Sequence, residues 1–148
     1  MIRKVIFAVF FVSVLAVAVS AADKDNAVVS PSYFEGVWAG GWTNFYSPST
    51  KHNFTLTIGK SGGGGGFDVE YSWEMLQLRN RLVPAGSVKT KGRQEGDQFF
   101  IKWKNKQGDE QKITLQKESE NKVKARLDRG GTLAPNESPV LESYLDRK

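Results

Sequence analysis

The chain has no cysteine and a single histidine, His52, among its 148 residues. Without cysteine there is no disulfide framework, no thiol nucleophile, no cysteine–histidine pair and no lipid-bearing cysteine. One histidine cannot build a histidine-rich metal cluster, so neither a metal nor a cofactor is expected. His52 itself, at the start of a strand-like run, reads as a surface residue. No apolar pattern with a helical period persists, although residues 75–83 have room for one helical turn. Carboxylates are plentiful, but Asp68, Glu70 and Glu74 fall opposite the aromatic positions of their segment, whereas a hydrolase needs its carboxylates inside a cleft. No catalytic constellation is recognisable, and the chain reads as a non-enzyme.

What is present begins with the first residues. Arg3 and Lys4 precede an apolar run over 5–19, interrupted only by Ser13, and then Ser20-Ala21-Ala22 and Asp23-Lys24-Asp25. A positive end, an apolar middle and a small-residue exit predict a signal peptide over 1–22, cleaved near Ala21 or Ala22. The run is short for a membrane anchor, and no basic cluster follows it. Export to a periplasm or the extracellular space is the expected localisation. Residues 23–148 then number 126 of the 148, enough for one domain. Losing Arg3 and Lys4 leaves 19 of the 21 basic residues against 16 acidic ones, a net charge of +3. No second apolar run is long enough to span a bilayer.

Residues 23–32 are polar and read as a disordered leader. From 33 onward, apolar and polar residues alternate with the period of half-buried strands. In "GFDVEYSWEM", Phe67, Val69, Tyr71, Trp73 and Met75 share one face. Phe54, Leu56 and Ile58 repeat the pattern, as do Phe99, Ile101 and Trp103, then Ile113 and Leu115, then Val123, Ala125 and Leu127. Turn residues separate these runs at short intervals. Eight strands are predicted, over 34–45, 52–59, 66–77, 86–94, 97–104, 110–117, 121–128 and 139–147. Leu141 and Leu145 face inward in the last of them, and Tyr144 outward. Eight short strands with one apolar face predict an all-β, antiparallel up-and-down meander closed into a small barrel over 33–148, with a two-sheet sandwich as the alternative.

One stretch imitates a chemical motif. Gly59-Lys60-Ser61 precedes five glycines, 62–66. A phosphate-cradling loop needs a further glycine before four intervening residues, and a helix after the serine. The required position holds Phe54, and a strand follows. The segment is therefore a hairpin turn, where glycine adopts positive φ without steric cost.

Two groups of residues bear on function. Trp38, Trp42, Tyr71, Trp73 and Trp103 all fall inward, either as packed core or as the walls of a cavity for an apolar or aromatic ligand, with Asn44 or Tyr71 as the polar contact. Lys102, Lys104, Lys122, Lys124 and Arg126 fall outward on neighbouring strands, joined by Lys89, Lys91 and Arg93. They offer a basic face to an anionic envelope surface or an acidic protein, or simply a solvated, edge-protecting surface. Nucleic acid is not expected, because the outward positions carry few aromatics for base stacking.

The Gly-x-Trp repeats "GVW" (36–38) and "GGW" (40–42), with eight meandering strands, resemble the calycin group of small barrels, namely lipocalins, fatty-acid-binding proteins and avidins. Lipocalins often set such a tryptophan against a basic residue near the last strands, which implies Arg126 or Arg147 here. "GGWTN" (40–44), "TIG" (57–59), "GFDVEY" (66–71) and "WKN" (103–105) resemble avidin in order. That resemblance implies Asn44 and Tyr71 at a ureido-binding position and Trp103 in a cavity wall. The later tryptophans and the distal aspartate of avidins have no counterpart. The chain from 23 on, with "VEYSWE", "WKNKQG" and "LDRK", is also similar to small exported bacterial β-proteins of unassigned function. The reading that emerges is an exported, non-enzymatic protein holding a small ligand in an aromatic-lined barrel. The alternative is a filled barrel acting on an envelope component, or as an inhibitor, through its basic face and loops.

Overall fold

Strands with one apolar face bury it only against one another, and eight of them do so by curling around a common axis. The computed structural model describes residues 32–46, 49–62 and 64–148. The strands are β1 (Gly36–Thr43), β2 (Lys51–Ser61), β3 (Gly66–Trp73), β4 (Leu76–Gln77), β5 (Leu82–Val83), β6 (Gly86–Glu95), β7 (Gln98–Lys104), β8 (Glu110–Ser119), β9 (Lys122–Arg129) and β10 (Val140–Arg147). Eight form a closed barrel in the order β1-β10-β9-β8-β7-β6-β3-β2, with every neighbour antiparallel. This is the expected meander, and the closure takes the place of a two-sheet sandwich. The segments expected as a signal peptide and as a leader, up to residue 31, lie outside the described residues. Among the described residues no helix is long and apolar enough to cross a membrane.

One segment departs from the sequence reading. The strand expected over 66–77 ends at Trp73, and Met75, expected inward, is 62% exposed. The helical turn allowed over 75–83 is instead a two-stranded ribbon, with Leu76 opposite Val83 and Gln77 opposite Leu82. The cause lies at the end of the sheet. Trp73 is the last residue of β3 with partners on both sides, Phe54 and Gly86; beyond it β6 offers no further partner, and only Glu74 still bonds to β2, its N–H donating to Asn53 O at 3.1 Å. The chain then closes on itself as β4 and β5. The glycine segment is a turn as expected, with Gly64 and Gly65 at positive φ and Gly62 N–H donating to Gly66 O at 3.0 Å.

The interior is filled by large side chains. Phe34, Trp38, Trp42, Phe99, Ile101 and Leu145 have no exposed surface. Each such side chain contributes about 1.5–3 kcal/mol of transfer free energy. Gly92 makes this packing possible, since a Cβ there would lie 2.4 Å from Phe99 Cε1.

The end at which β1 begins is sealed. Trp38 Nε1–H donates to Phe34 O at 2.8 Å, and the Arg147 guanidinium lies 4.2 Å from the Trp38 ring. Arg147 also donates to Glu35 O at 2.7 Å and to Tyr33 O at 2.6 Å. Arg147, not Arg126, is thus the basic partner of the first tryptophan. Arg126 faces out and binds Asp128 at 2.8 Å. The final pairing, Trp38 with Arg147 and Ala39 with Asp146, closes the barrel at the same place.

Replacing Arg147 by Ala removes two charge-assisted bonds and the cation–π contacts with Trp38 and Tyr33, a loss of about 3 kcal/mol. Denaturant unfolding of Arg147→Ala is expected to show that loss, while Arg126→Ala keeps the wild-type midpoint.

Candidate functional site: an aromatic cavity at the barrel mouth

The opposite end carries the loops after β1, β3, β7 and β9. There the inward positions cease to fill the barrel and surround a cavity of about 450 Å³. Tyr71 lies at its base, with Trp73 at 5.5 Å and Trp103 at 5.3 Å between ring centroids. Phe45 and Tyr46 stand at the rim with Pro84 and Ala85. The backbone ladder between β6 and β7 stops at Gly92 opposite Ile101. Beyond that point Thr90 Oγ1 donates to Lys102 O at 2.7 Å. The strands part on the side where Trp103 stands, so its ring takes over the wall. A wider hollow of about 580 Å³ lies outside, beside Gln77, Arg79 and Arg81, with Tyr46 as its one aromatic residue.

Beneath the cavity the aromatics lock together. Trp42 stacks on Phe54 at 4.4 Å and 13°, and Phe54 meets Tyr71 edge-on at 5.4 Å. Trp42 Nε1–H donates to Tyr71 Oη at 3.0 Å. Burial pushes the Tyr71 phenol far above its ordinary value of 10.0, and the bond from Trp42 offsets only part of that. Trp73 Nε1–H donates to Pro84 O at 3.1 Å, fixing the indole against the loop before β6. Gly86 leaves room for that ring, because a Cβ there would lie 2.5 Å from Trp73 Cζ2.

Three polar side chains line the cavity at inward positions, each at the mouth end of its strand. His52 follows the parity of Phe54 and Leu56, Gln111 that of Ile113, and Arg129 that of Leu127. Gln111 pairs with Trp103 on one side and Arg129 on the other. Arg129 ties the rim together. It donates to Phe45 O at 3.1 Å and Ser138 O at 3.3 Å, meets Glu137 at 3.4 Å, and lies 4.2 Å from the Phe45 ring. His52 is 3% exposed rather than a surface residue. Its Nε2 bonds to Glu74 O at 2.7 Å, while Nδ1 is buried without a partner. An acceptor left so costs about 1–3 kcal/mol. Strand parity could have identified all three residues, since each continues an alternation already visible.

Of the residues expected to contact a ligand, Tyr71, Trp73 and Trp103 meet at this cavity. Trp42 lies beneath them, holding Tyr71. Trp38 is at the sealed end. Asn44 is exposed at φ 60°, its Oδ1 accepting Ser49 N–H at 2.8 Å, so it shapes the turn after β1 and does not line the cavity. No carboxylate lines the cavity among the described residues, and none of their acidic or histidine side chains cluster as a metal site.

The basic residues stand outward as expected, but most are matched by acids. Lys102 meets Glu110 at 3.2 Å, Lys122 meets Asp146 at 3.6 Å, Lys124 meets Glu142 at 3.2 Å, and Arg126 holds Asp128. Lys91 meets Asp68 at 2.5 Å, directly across the β3–β6 pair. Lys104 is exposed and makes no ion pair among the described residues. The outer face is thus of mixed charge, not a uniform basic field.

No family model matches the chain, and no curated protein matches it. Among solved structures it is similar to a de novo designed fluorescence-activating β-barrel, with TM-score 0.48 and 14% identity over 78% of this chain and 94% of that one. It is also similar to a point mutant of the fluorescent protein UnaG, with TM-score 0.45 and 15% identity over 78% of this chain and 96% of that one. The up-and-down order of eight closed strands is calycin-like.

The Tyr71 environment makes stability depend on alkaline pH. The folded protein holds the phenol neutral, so its contribution is complete below the unfolded value near 10.0 and is lost as pH rises beyond it. Denaturant midpoints between about pH 8 and 12 are expected to fall along that limb, and to fall less steeply in Tyr71→Phe. Gly86→Ala is expected to displace the Trp73 indole and costs about 1–3 kcal/mol by overpacking, with altered tryptophan emission as the accompanying signal.

Proposed function

We propose that the protein holds one small, flat aromatic or apolar ligand in the mouth cavity, with Trp73 and Trp103 against its faces and Tyr71 beneath it. The observation that carries this reading is the contrast inside the barrel: filled from Phe34 to Trp42 and Phe99, hollow above Tyr71. A cavity of this size, apolar with a few convergent polar groups, suits a small ligand. Tyr71 supports the reading further. Its oxygen already accepts a bond from Trp42, and its own proton has no acceptor among the described residues, so it is available to a carbonyl or similar oxygen of the ligand. The pattern at the start of the chain supports export, and the protein then works as a periplasmic or extracellular binding protein without chemistry of its own. The alternative of a filled barrel acting through a basic face loses ground, because that face is matched by carboxylates.

The test uses 8-anilinonaphthalene-1-sulfonate, whose emission rises in apolar surroundings. One-to-one binding is expected, weakened about tenfold or more in Trp103→Ala by loss of the wall ring. Phe100→Ala, on the outer face of the same strand, is expected to bind as wild type. Absent binding, or binding indifferent to Trp103, contradicts the reading.

A further inference from the structure

The histidine at the cavity rim has an unfinished hydrogen-bond set. Glu74 O is a carbonyl and can only accept, so the 2.7 Å bond to His52 Nε2 requires the proton on that nitrogen. In the neutral ring Nδ1 is then a bare acceptor. It is buried without a partner, in a residue 3% exposed that lines the cavity. The rings of Phe45 and Tyr46 each stand 5.7 Å from the imidazole, centroid to centroid, Phe45 nearly perpendicular to it. Nδ1 has no exposed surface, so a ligand reaches it only by displacing a covering ring. Its neighbours in the ladder do not repair the deficit. Trp42, directly opposite on β1, spends its indole proton on Tyr71, and Trp73, one strand over, spends its own on Pro84 O. Gln111 turns its amide protons to Asp109 O and Gly130 O, and Arg129 is committed to Phe45 O, Ser138 O and Glu137. The side-chain donors of Trp42, Trp73, Gln111 and Arg129 are thus satisfied by protein, and the imidazole acceptor is not.

We propose that His52 Nδ1 is the specificity group of this cavity, selecting aromatic ligands that carry an N–H or O–H donor over ligands of the same shape that lack one. This rests on the ligand-binding reading above and adds to it the class of ligand: heteroaromatic N–H compounds, phenols and cyclic amides rather than plain hydrocarbons or acyl chains. A buried group built to be hydrogen-bonded discriminates strongly against an isostere that leaves it unpaired. Filling a hydrophobic pocket discriminates weakly by comparison.

Three probes separate the possibilities: indole, 1-methylindole and benzothiophene, titrated by calorimetry. Indole alone carries the N–H. It is expected to bind about tenfold or more tightly than the other two. His52 is the chain's only histidine, so 15N-labelled histidine gives one pair of ring signals. In the free protein the proton is expected on Nε2, and indole is expected to shift Nδ1 as a new bond forms while benzothiophene leaves it unmoved. His52→Phe is expected to bring the three affinities together. The spectrum of the wild-type protein decides the matter even if that variant fails to fold. Equal binding of all three with Nδ1 unmoved overturns the role of His52 and leaves the aromatic cavity standing. Failure of all three to bind overturns both. A proton on Nδ1 in the free protein overturns the proposal by itself.

Discussion

The hydrogen bond from Trp42 to Tyr71 divides the barrel in two. It joins β1 to β3 through the interior, across the strand that separates them, and Phe54 of that strand is clasped between the two rings. Below it, the interior is solid with phenylalanine, tryptophan and branched aliphatic side chains. Above it, the same inward parity sets Trp73 and Trp103 each against Tyr71, and a cavity lies among the three rings. The bond also gives the base of the cavity its chemistry. An indole proton directed at a buried phenol oxygen leaves the phenol proton to point elsewhere, and the open space is above it.

The polar side chains follow from the same geometry. A strand that continues past the filled region keeps alternating, so its next inward residue faces the cavity or the rim. His52, Gln111 and Arg129 each occupy such a place. They sit at the mouth because their polar groups can reach loop carbonyls there, which the middle of the barrel does not offer. Arg129 takes the carbonyls of Phe45 and Ser138 and the carboxylate of Glu137, and so binds two mouth loops to the barrel wall. The sealed end uses the same device, with Arg147 on the carbonyls of Tyr33 and Glu35. One end is closed by an arginine over a tryptophan, and the other is held open by an arginine over a phenylalanine.

Much of this was legible in the sequence because period two is a direct consequence of strand geometry. The inward set from Phe54 to Leu145, the outward Tyr144, the glycine turn and the eight-strand closure all follow from it. The departure at Met75 has a simple cause, which is that alternation does not show where a strand loses its neighbours. Met75 continues the pattern of β3 in sequence, but the ladder has ended at Trp73, and the residue faces water. His52 was misread for the opposite reason, because polarity suggested the surface while parity and a strand beginning at Lys51 put it inside. Asn44 matched an avidin-like segment, yet its positive φ and its bond to Ser49 belong to a turn. The charges teach the same lesson, since outward lysines form a row in sequence while the carboxylates that answer them come from other strands or from residues further along the same one.

Ligand binding at the mouth needs a barrel filled below the Trp42–Tyr71 bond and hollow above it. Its most direct test is a crystal soaked in 4-iodophenol, with the iodine located by its anomalous scattering. One interior iodine site is expected, between Trp73 and Trp103 and above Tyr71. An iodine below Trp42, or none inside the barrel at all, would contradict it.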